Sequence, residues 1–325
     1  MLRKVKTSLL LGIFLALGAI YIIMKIAEPS NVGNMPTFIT AFNPAECTEI
    51  SISAKKDMGN SLTLSKKSDG WTVAGADKNA YRADSNMIKS LLNSFSKLKP
   101  LRIATQSKER WQDFSVTDSA GTQITFKNKD GKLASLIIGR FTYTQSPMAA
   151  QMRQRNPYMK QNPGTMSTYV RSGDKTEVYA VEGFLASEVK SDVNTFRDKS
   201  FLAIGNESSL VKFTFTYPAD SSFVLQKKEG KWFADDTPVD SASVANYLSG
   251  LRNLKLRSFS EKVPQQKTHK LVIQTSNGNK IHVDAELSED AAIIVSDQNP
   301  ENMAMDKNKY LFEKLYPSKK KLISK

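Results

Sequence analysis

The chain carries one pattern twice. Leu62-Thr63-Leu64-Ser65-Lys66-Lys67-Ser68-Asp69-Gly70-Trp71 returns as Phe223-Val224-Leu225-Gln226-Lys227-Lys228-Glu229-Gly230-Lys231-Trp232, an offset of 161 residues from Trp71 to Trp232. Two copies of one pattern must form the same supersecondary unit with different side chains, which narrows the possible folds more than composition does. Ile50-Ser51-Ile52 aligns with Val211-Lys212-Phe213 at the same offset. Both alternate apolar with polar residues, the period of a half-buried strand. In the second copy Val211, Phe213, Phe215 and Tyr217 fall on that period. Turns at Ser68-Asp69-Gly70 and Glu229-Gly230 complete a strand–turn–strand in each copy.

A helix follows in each. Asp84 and Asp240 are N-cap residues, because a short carboxylate accepts from the first free N–H groups of a helix. Behind Asp84 come Ile88, Leu91, Leu92, Phe95 and Leu98; behind Asp240 come Val244, Tyr247, Leu248, Leu251 and Leu254. Spacings of three and four put each set on one stripe. Pro100 ends the first helix. The back halves align at an offset of 157, Phe114–Val116 with Leu271–Ile273 and Ile124–Phe126 with Ile281–Val283, with Gly121 and Gly278 in one turn. Leu136–Ile138 with Ala292–Ile294 gives a further strand, and Val178-Tyr179 with Tyr310-Leu311 the last. The expected fold class is α+β: an N-terminal transmembrane helix, then two tandem repeats, each an antiparallel sheet with one covering helix.

The transmembrane expectation rests on Leu9, Leu10, Leu11, Ile13, Phe14, Leu15, Leu17, Ile20, Tyr21, Ile22, Ile23 and Met24, with no charge among them. As a helix, Thr7–Ala27 would extend roughly 30 Å, the thickness of the hydrocarbon core. Arg3, Lys4 and Lys6 precede it, so the positive-inside rule puts the N-terminus in the cytoplasm and the rest outside. The competing reading is a cleaved signal peptide with a weak site at Ala16-Leu17-Gly18. The expected location is the bacterial inner membrane, single-pass, with the bulk periplasmic. Expected domains are a stub and anchor at 1–28, a linker at 29–37, a first repeat at 38–198 with an insert at 142–166, a second repeat at 199–318, and a basic tail at 319–325.

Forty-six Lys and Arg against 32 Asp and Glu leave a formal charge of +14. The excess is spread along the chain, which serves solubility and also favours anionic partners. One cysteine, Cys47, excludes an intrachain disulfide and a multi-cysteine zinc site. No P-loop, GxGxxG or GxSxG occurs, so no cofactor is expected. His269 and His282 are the only histidines, and a paired metal or catalytic role for them is weighed against ordinary strand positions. Asp235-Asp236 reads as a turn, and Trp71 and Trp232 as core residues under the helices. The insert is polar and rich in Pro and Gln, and its methionines are Met148, Met152, Met159 and Met166. It is expected to be a long loop, and its Met152, Arg153, Arg155, Tyr158 and Met159 are the candidate partner contacts, being residue types favoured at interfaces.

The Gly70-Trp71 and Lys231-Trp232 strands, the Asp-capped helices, Ser167–Arg171 before Glu177–Val181, and above all Phe196–Leu202 carry a resemblance to a known family. The chain resembles, over about Glu46 to Pro317, a bacterial membrane-anchored family of unknown function with a duplicated α+β domain. Members of that family are linked to ABC-type transporter auxiliary components and gliding-motility systems. The resemblance implies no catalytic residue. The expected function is therefore that of a membrane-anchored extracytoplasmic, non-enzymatic interaction protein, an accessory of an ABC-type transport system. The alternative is a periplasmic binding module for an anionic polymer or small ligand between the two repeats. A hydrolase with an unseen site is the third reading. Expected partners are inner-membrane lipid and a membrane or periplasmic protein, with no nucleic acid; the residues leave the oligomeric state open.

Overall fold

In the computed structural model, which describes residues 35–54, 60–145, 164–173 and 175–323, the first repeat runs β1 (Glu49–Ala54), β2 (Asn60–Lys67), β3 (Gly70–Ala74), β4 (Ala80–Arg82), α1 (Ser85–Ser96), β5 (Pro100–Thr105), β6 (Thr122–Lys127), β7 (Lys132–Gln145), β8 (Gly164–Ser172) and β9 (Val178–Glu182). A four-residue helix, α2 (Val193–Phe196), leads into β10 (Ser200–Ala203). The second repeat continues with β11 (Leu210–Thr216), β12 (Phe223–Lys228), β13 (Lys231–Ala234), β14 (Thr237–Pro238), α3 (Ser241–Leu251), β15 (Asn253–Lys255), β16 (His269–Thr275), β17 (Lys280–Leu287), β18 (Ala292–Ser296) and β19 (Ala304–Asp306). It closes with α4 (Tyr310–Leu315) and α5 (Lys319–Ile323).

The duplication reaches the level of sheet order. The strands of the first repeat stand β4-β3-β2-β1-β6-β7-β8-β9-β5, and those of the second β14-β13-β12-β11-β16-β17-β18-β19. The first eight places correspond one to one. Alternation does the local work: Ile50, Ile52 and Ala54 are buried on β1, Leu62 and Leu64 on β2, Phe223 and Leu225 on β12. The β12–β13 hairpin turns through Glu229 and Gly230, both at positive φ, the geometry of the tight turn whose twist matches antiparallel strands. Both expected caps form. The Asp84 carboxylate accepts from the Asn86 and Met87 N–H groups, and Asp240 from the Ser243 N–H at 2.8 Å. Val244, Leu248 and Leu251 bury the apolar stripe of α3 in a core built on Phe213, Phe215, Phe223 and Leu225. In the first repeat Phe95 of α1 packs on Phe126 of β6.

Several expectations change. The fold is mostly β rather than α+β: 42% of the described residues are strand and 22% helix, arranged in large antiparallel sheets. The three-four stripe reveals a helix clearly, but each repeat holds one helix of 11 or 12 residues among many more strands. Against the expected transmembrane helix and single-pass inner-membrane location, no helix among the described residues is long and apolar enough to cross a membrane. Leu9–Met24, on which that expectation rested, lie outside the described residues.

The back-half alignment was one strand out of step. The partner of β1 is β6, and that of β11 is β16, so Ile124 corresponds to Ile273, not to Ile281. Phe114 ends a 3-10 turn, Lys108–Phe114, and Gly121 precedes β6, whereas Gly278 turns the β16–β17 hairpin. Strands with the same period of two cannot be told apart by periodicity. Tyr310 and Leu311 open the helix α4, and the last strand of the second repeat is β19. Smaller differences follow from local geometry. A bulge between Leu210 and Lys212 puts Leu210 in the core in place of Val211. Leu254 has already left the helix for β15. Lys319–Lys321 are no free tail, because they lie on α5, which buries Leu322.

Compactness divides the chain differently from repetition. One unit takes the described residues up to Ser61 with Ser90–Ser191; the other takes Leu62–Lys89 with Asp192 onward. The β2–β4 meander thus belongs with the segment around Phe196: the Asp84 N–H donates to Phe196 O, the Asp198 N–H donates to Arg82 O, and Ala83 bridges Arg197.

Candidate functional site

The chain leaving the helix takes different paths in the two repeats. In the first, β5 lies along β9 from Pro100 opposite Val181 to Thr105 opposite Val178. In the second, β15 pairs instead with β10, Leu254 opposite Leu202 and Ala203 opposite Asn253. The chain then reaches β19 through the bridge of Phe259 with Ala304 and a 2.8 Å bond from the Ser260 N–H to Met303 O. Between β15, the 256–259 segment, β19 and α4 lies an open cleft of about 750 Å³.

Its walls are basic. Lys255, Arg257, Lys307 and Lys314 line it, against one carboxylate, Asp306. That carboxylate is engaged, accepting from the Phe312 N–H at 2.8 Å, one of the otherwise unpaired donors at the start of α4. Tyr310 stands 58% exposed in the cleft. The Arg257 guanidinium lies 5.0 Å from its ring centre and the Lys314 ammonium 6.0 Å. Cations over an exposed ring hold each other's side chains in place and keep their outer N–H groups for a ligand.

The floor is rigid for a traceable reason. Helix α4 turns Tyr310 and Lys314, four residues apart, to the cleft, and buries Phe312 and Leu315. Three phenols then tie its far end to the core. Tyr247 donates to Leu315 O, Tyr217 to Pro317 O, and Tyr316 to Val283 O. Burial pushes all three phenol pKa values up, so they remain donors. On the other side, Lys314 lies against Gly250 of α3, where a Cβ would come within 3.0 Å of its Cε.

Phe259, in the wall, is fixed by a buried arginine. The Arg197 guanidinium stacks 3.8 Å from the Phe259 ring centre and 3.9 Å from that of Tyr81. It donates to Glu301 O at 2.6 Å, while its Nε has no hydrogen-bond partner. Burial lowers the Arg197 pKa from its usual value, and Tyr81, Glu301 and Glu261 pull it back. The first repeat has its own version. Arg171 of β8 is 3% exposed and stacks 3.8 Å from the Trp111 ring centre. It donates to Val116 O, Gly173 O and the Asp118 carboxylate.

The residues singled out in the sequence lie elsewhere. Met152, Arg153, Arg155, Tyr158 and Met159 fall outside the described residues; β7 and β8 shorten the expected insert by running to Gln145 and from Gly164. His269 and His282 do not meet. His269 stands opposite Ala285 and His282 opposite Val272, three places apart on the β16–β17 ladder and so on opposite faces. His269 packs against Tyr217, Phe312 and Tyr316, and desolvation lowers its pKa. Asp235 sits at positive φ in a turn, accepting from the Val224 N–H and from Lys319, which together lower its pKa. Trp71 and Trp232, expected in the core, are each half-buried, Trp232 packing on Phe213 at the core's margin, and Cys47 is fully buried. Among the described residues no group of three or more His, Cys, Asp or Glu could hold a metal ion. Sequence reasoning missed the cleft. Its one readable signal was Lys255-Leu256-Arg257, two exposed cations either side of a buried leucine at the end of β15.

Residues 159–301 match a family described as a domain of unknown function, DUF4340. That stretch is less than half of the chain and ends just before β19. No curated protein matches the chain, and no solved structure matches it.

Proposed function

We propose that this chain is a non-enzymatic binding protein that holds an anionic partner in the basic cleft of its second repeat. One observation carries the reading: four cationic side chains line one cleft, two of them over its exposed tyrosine, with a single carboxylate among them that is already engaged by the backbone. Such a site attracts negative charge at a distance and offers charge-assisted donors at contact. The walls are fixed in advance by Arg197, Gly250 and the three phenols, so little ordering cost falls on binding. The cleft lies wholly within the second repeat, unlike the site between repeats that the sequence suggested. The resemblance to a family linked with ABC-type transport makes a subunit of such a system the first candidate partner, with this chain as its accessory.

The test is a binding titration of the full chain with fluorescent oligoglutamate and, separately, inorganic polyphosphate. At least one should bind, more weakly as salt rises, and the Arg257→Glu, Lys314→Glu variant should lose about tenfold in affinity. If neither probe binds, or if the double variant binds as the parent does, the reading fails.

A further inference from the structure

The cleft contains a strand edge as well as charge. β15 and β10 form a two-stranded sheet, so each has one edge without a strand partner. On the β10 side, Arg252 O accepts from the Ile204 N–H, and the Leu256 N–H donates to Lys199 O. Peptide groups alternate along an antiparallel strand, so those of Asn253 and Lys255 point away from β10. Asn253 and Lys255 both line the cleft. In the first repeat the strand in the matching place after the helix, β5, lies along β9 over its full length. In the second repeat the matching contact with β19 is made by Ser258–Ser260, through the Phe259–Ala304 bridge and the bonds from the Ser260 N–H to Met303 O and from the Met305 N–H to Ser258 O, and β15 keeps an outward edge.

We propose that an extended acidic peptide segment of a partner protein docks here, adding to β15 as a further strand with its carboxylates on the cleft's lysines and arginine. This rests on the anionic-partner reading above and deepens it. Two features select a peptide over other polyanions. A strand edge offers N–H and C=O groups in alternation, which only another peptide backbone can pair reciprocally. Side chains of an added strand project every second residue, about 6.6 Å apart on one face, a spacing that suits separate carboxylates meeting Lys255 and Arg257, themselves two residues apart. Asp306 in the wall is an added obstacle to a dense phosphate chain and is tolerable beside spaced carboxylates. Tyr310, held between Arg257 and Lys314, offers an apolar surface for the stems of the bound side chains.

The experiment uses the full chain and three probes: a labelled oligoglutamate of about eight residues, the same peptide N-methylated at every residue, and inorganic polyphosphate. The unmodified peptide should bind, and the N-methylated one should bind about tenfold more weakly, because methylation blocks the backbone pairing on both edges while keeping every charge. Hydrogen exchange should slow at the Lys255 amide when the unmodified peptide is present. Arg257→Glu should weaken the peptide severalfold, and Arg257→Lys should recover most of the loss. Equal binding of the N-methylated and the parent peptide, or tighter binding of polyphosphate, would overturn the strand-addition proposal while leaving an anion site in place. Failure of all three probes to bind would overturn both readings.

Discussion

The two repeats share eight corresponding strand places and part company at one, the strand after the helix. In the first repeat β5 extends the sheet beside β9 as its last strand, and the chain beyond it is pinned where Trp111 stacks on Arg171. In the second, β15 leaves the sheet for β10, and the chain beyond is pinned where Phe259 stacks on Arg197. Both repeats use the same device, an aromatic ring on a buried guanidinium. They differ in what the guanidinium finds around it: three oxygen acceptors for Arg171, and one with an unpaired Nε for Arg197. The better satisfied guanidinium is that of the first repeat, and the other borders the cleft wall at Phe259. Duplication copies a topology, and a later change in one strand's partner can open a surface without disturbing the rest.

That contrast can be broken most forcefully at Arg171. Replacing it with alanine leaves Val116 O and Gly173 O without their buried donor and strips the face of Trp111, so the first repeat should lose about 3 kcal/mol. Urea unfolding followed by the fluorescence of Trp111 reads this directly. Arg197→Ala removes two ring stacks but only one hydrogen bond, and the lost stability should be about 2 kcal/mol. If the second loss proved larger than the first, the ranking of the two guanidinium groups would be wrong. Arg197→Ala should also weaken binding in the cleft, by freeing Phe259, without removing any of its charges.

Next in size is the cap of the helix that opens the second path. Asp240→Ala should cost about 1 kcal/mol, seen as a lower urea midpoint with an unchanged slope. Gly250→Ala should act in the opposite sense. Alanine favours the helix by up to about 1 kcal/mol, and the near neighbour is the flexible end of Lys314, which can yield. A net gain of about 0.5 kcal/mol, with weaker binding of an acidic peptide as Lys314 shifts, would tie the helix to the cleft.

The smallest effect expected is one of pH. The folded state holds the His269 pKa below 6.5 by desolvation. As pH falls past the unfolded value, the unfolded chain takes up its proton first, and stability present above that value is lost. The urea midpoint should therefore drop between about pH 7.5 and about pH 5, and His269→Gln should flatten that drop. A slope that survives the substitution would place the titrating group elsewhere.

Much of this architecture was legible in advance. Trp71 and Trp232 marked the duplication, and Asp84 and Asp240 marked helix starts that the structure places one residue further on. Such features are local, written in residues a few places apart. The back-half pairing was not legible, because Ile124 and Ile281 sit in strands of the same period and nothing in either says which is the neighbour of β1 or β11. Tyr310 and Leu311 resemble a strand by composition. They start a helix because Asp306 caps it and Phe312 and Leu315 have a core to enter. The cleft was hidden for the same reason: Lys255 and Arg257 are distant in sequence from Lys307 and Lys314.

By itself, the sequence determined that the chain holds two related units, where their tight turns and helix caps lie, and which face of each early strand is apolar. Tertiary structure alone decided which strand edges meet, that β15 turns to β10 while β5 stays with β9, and that four cations and a tyrosine therefore share one opening. The physical reason is that turns and caps are fixed by bonds between near neighbours. A strand edge carries the same unspecific row of N–H and C=O groups everywhere, and its partner is chosen by packing between residues far apart in the chain.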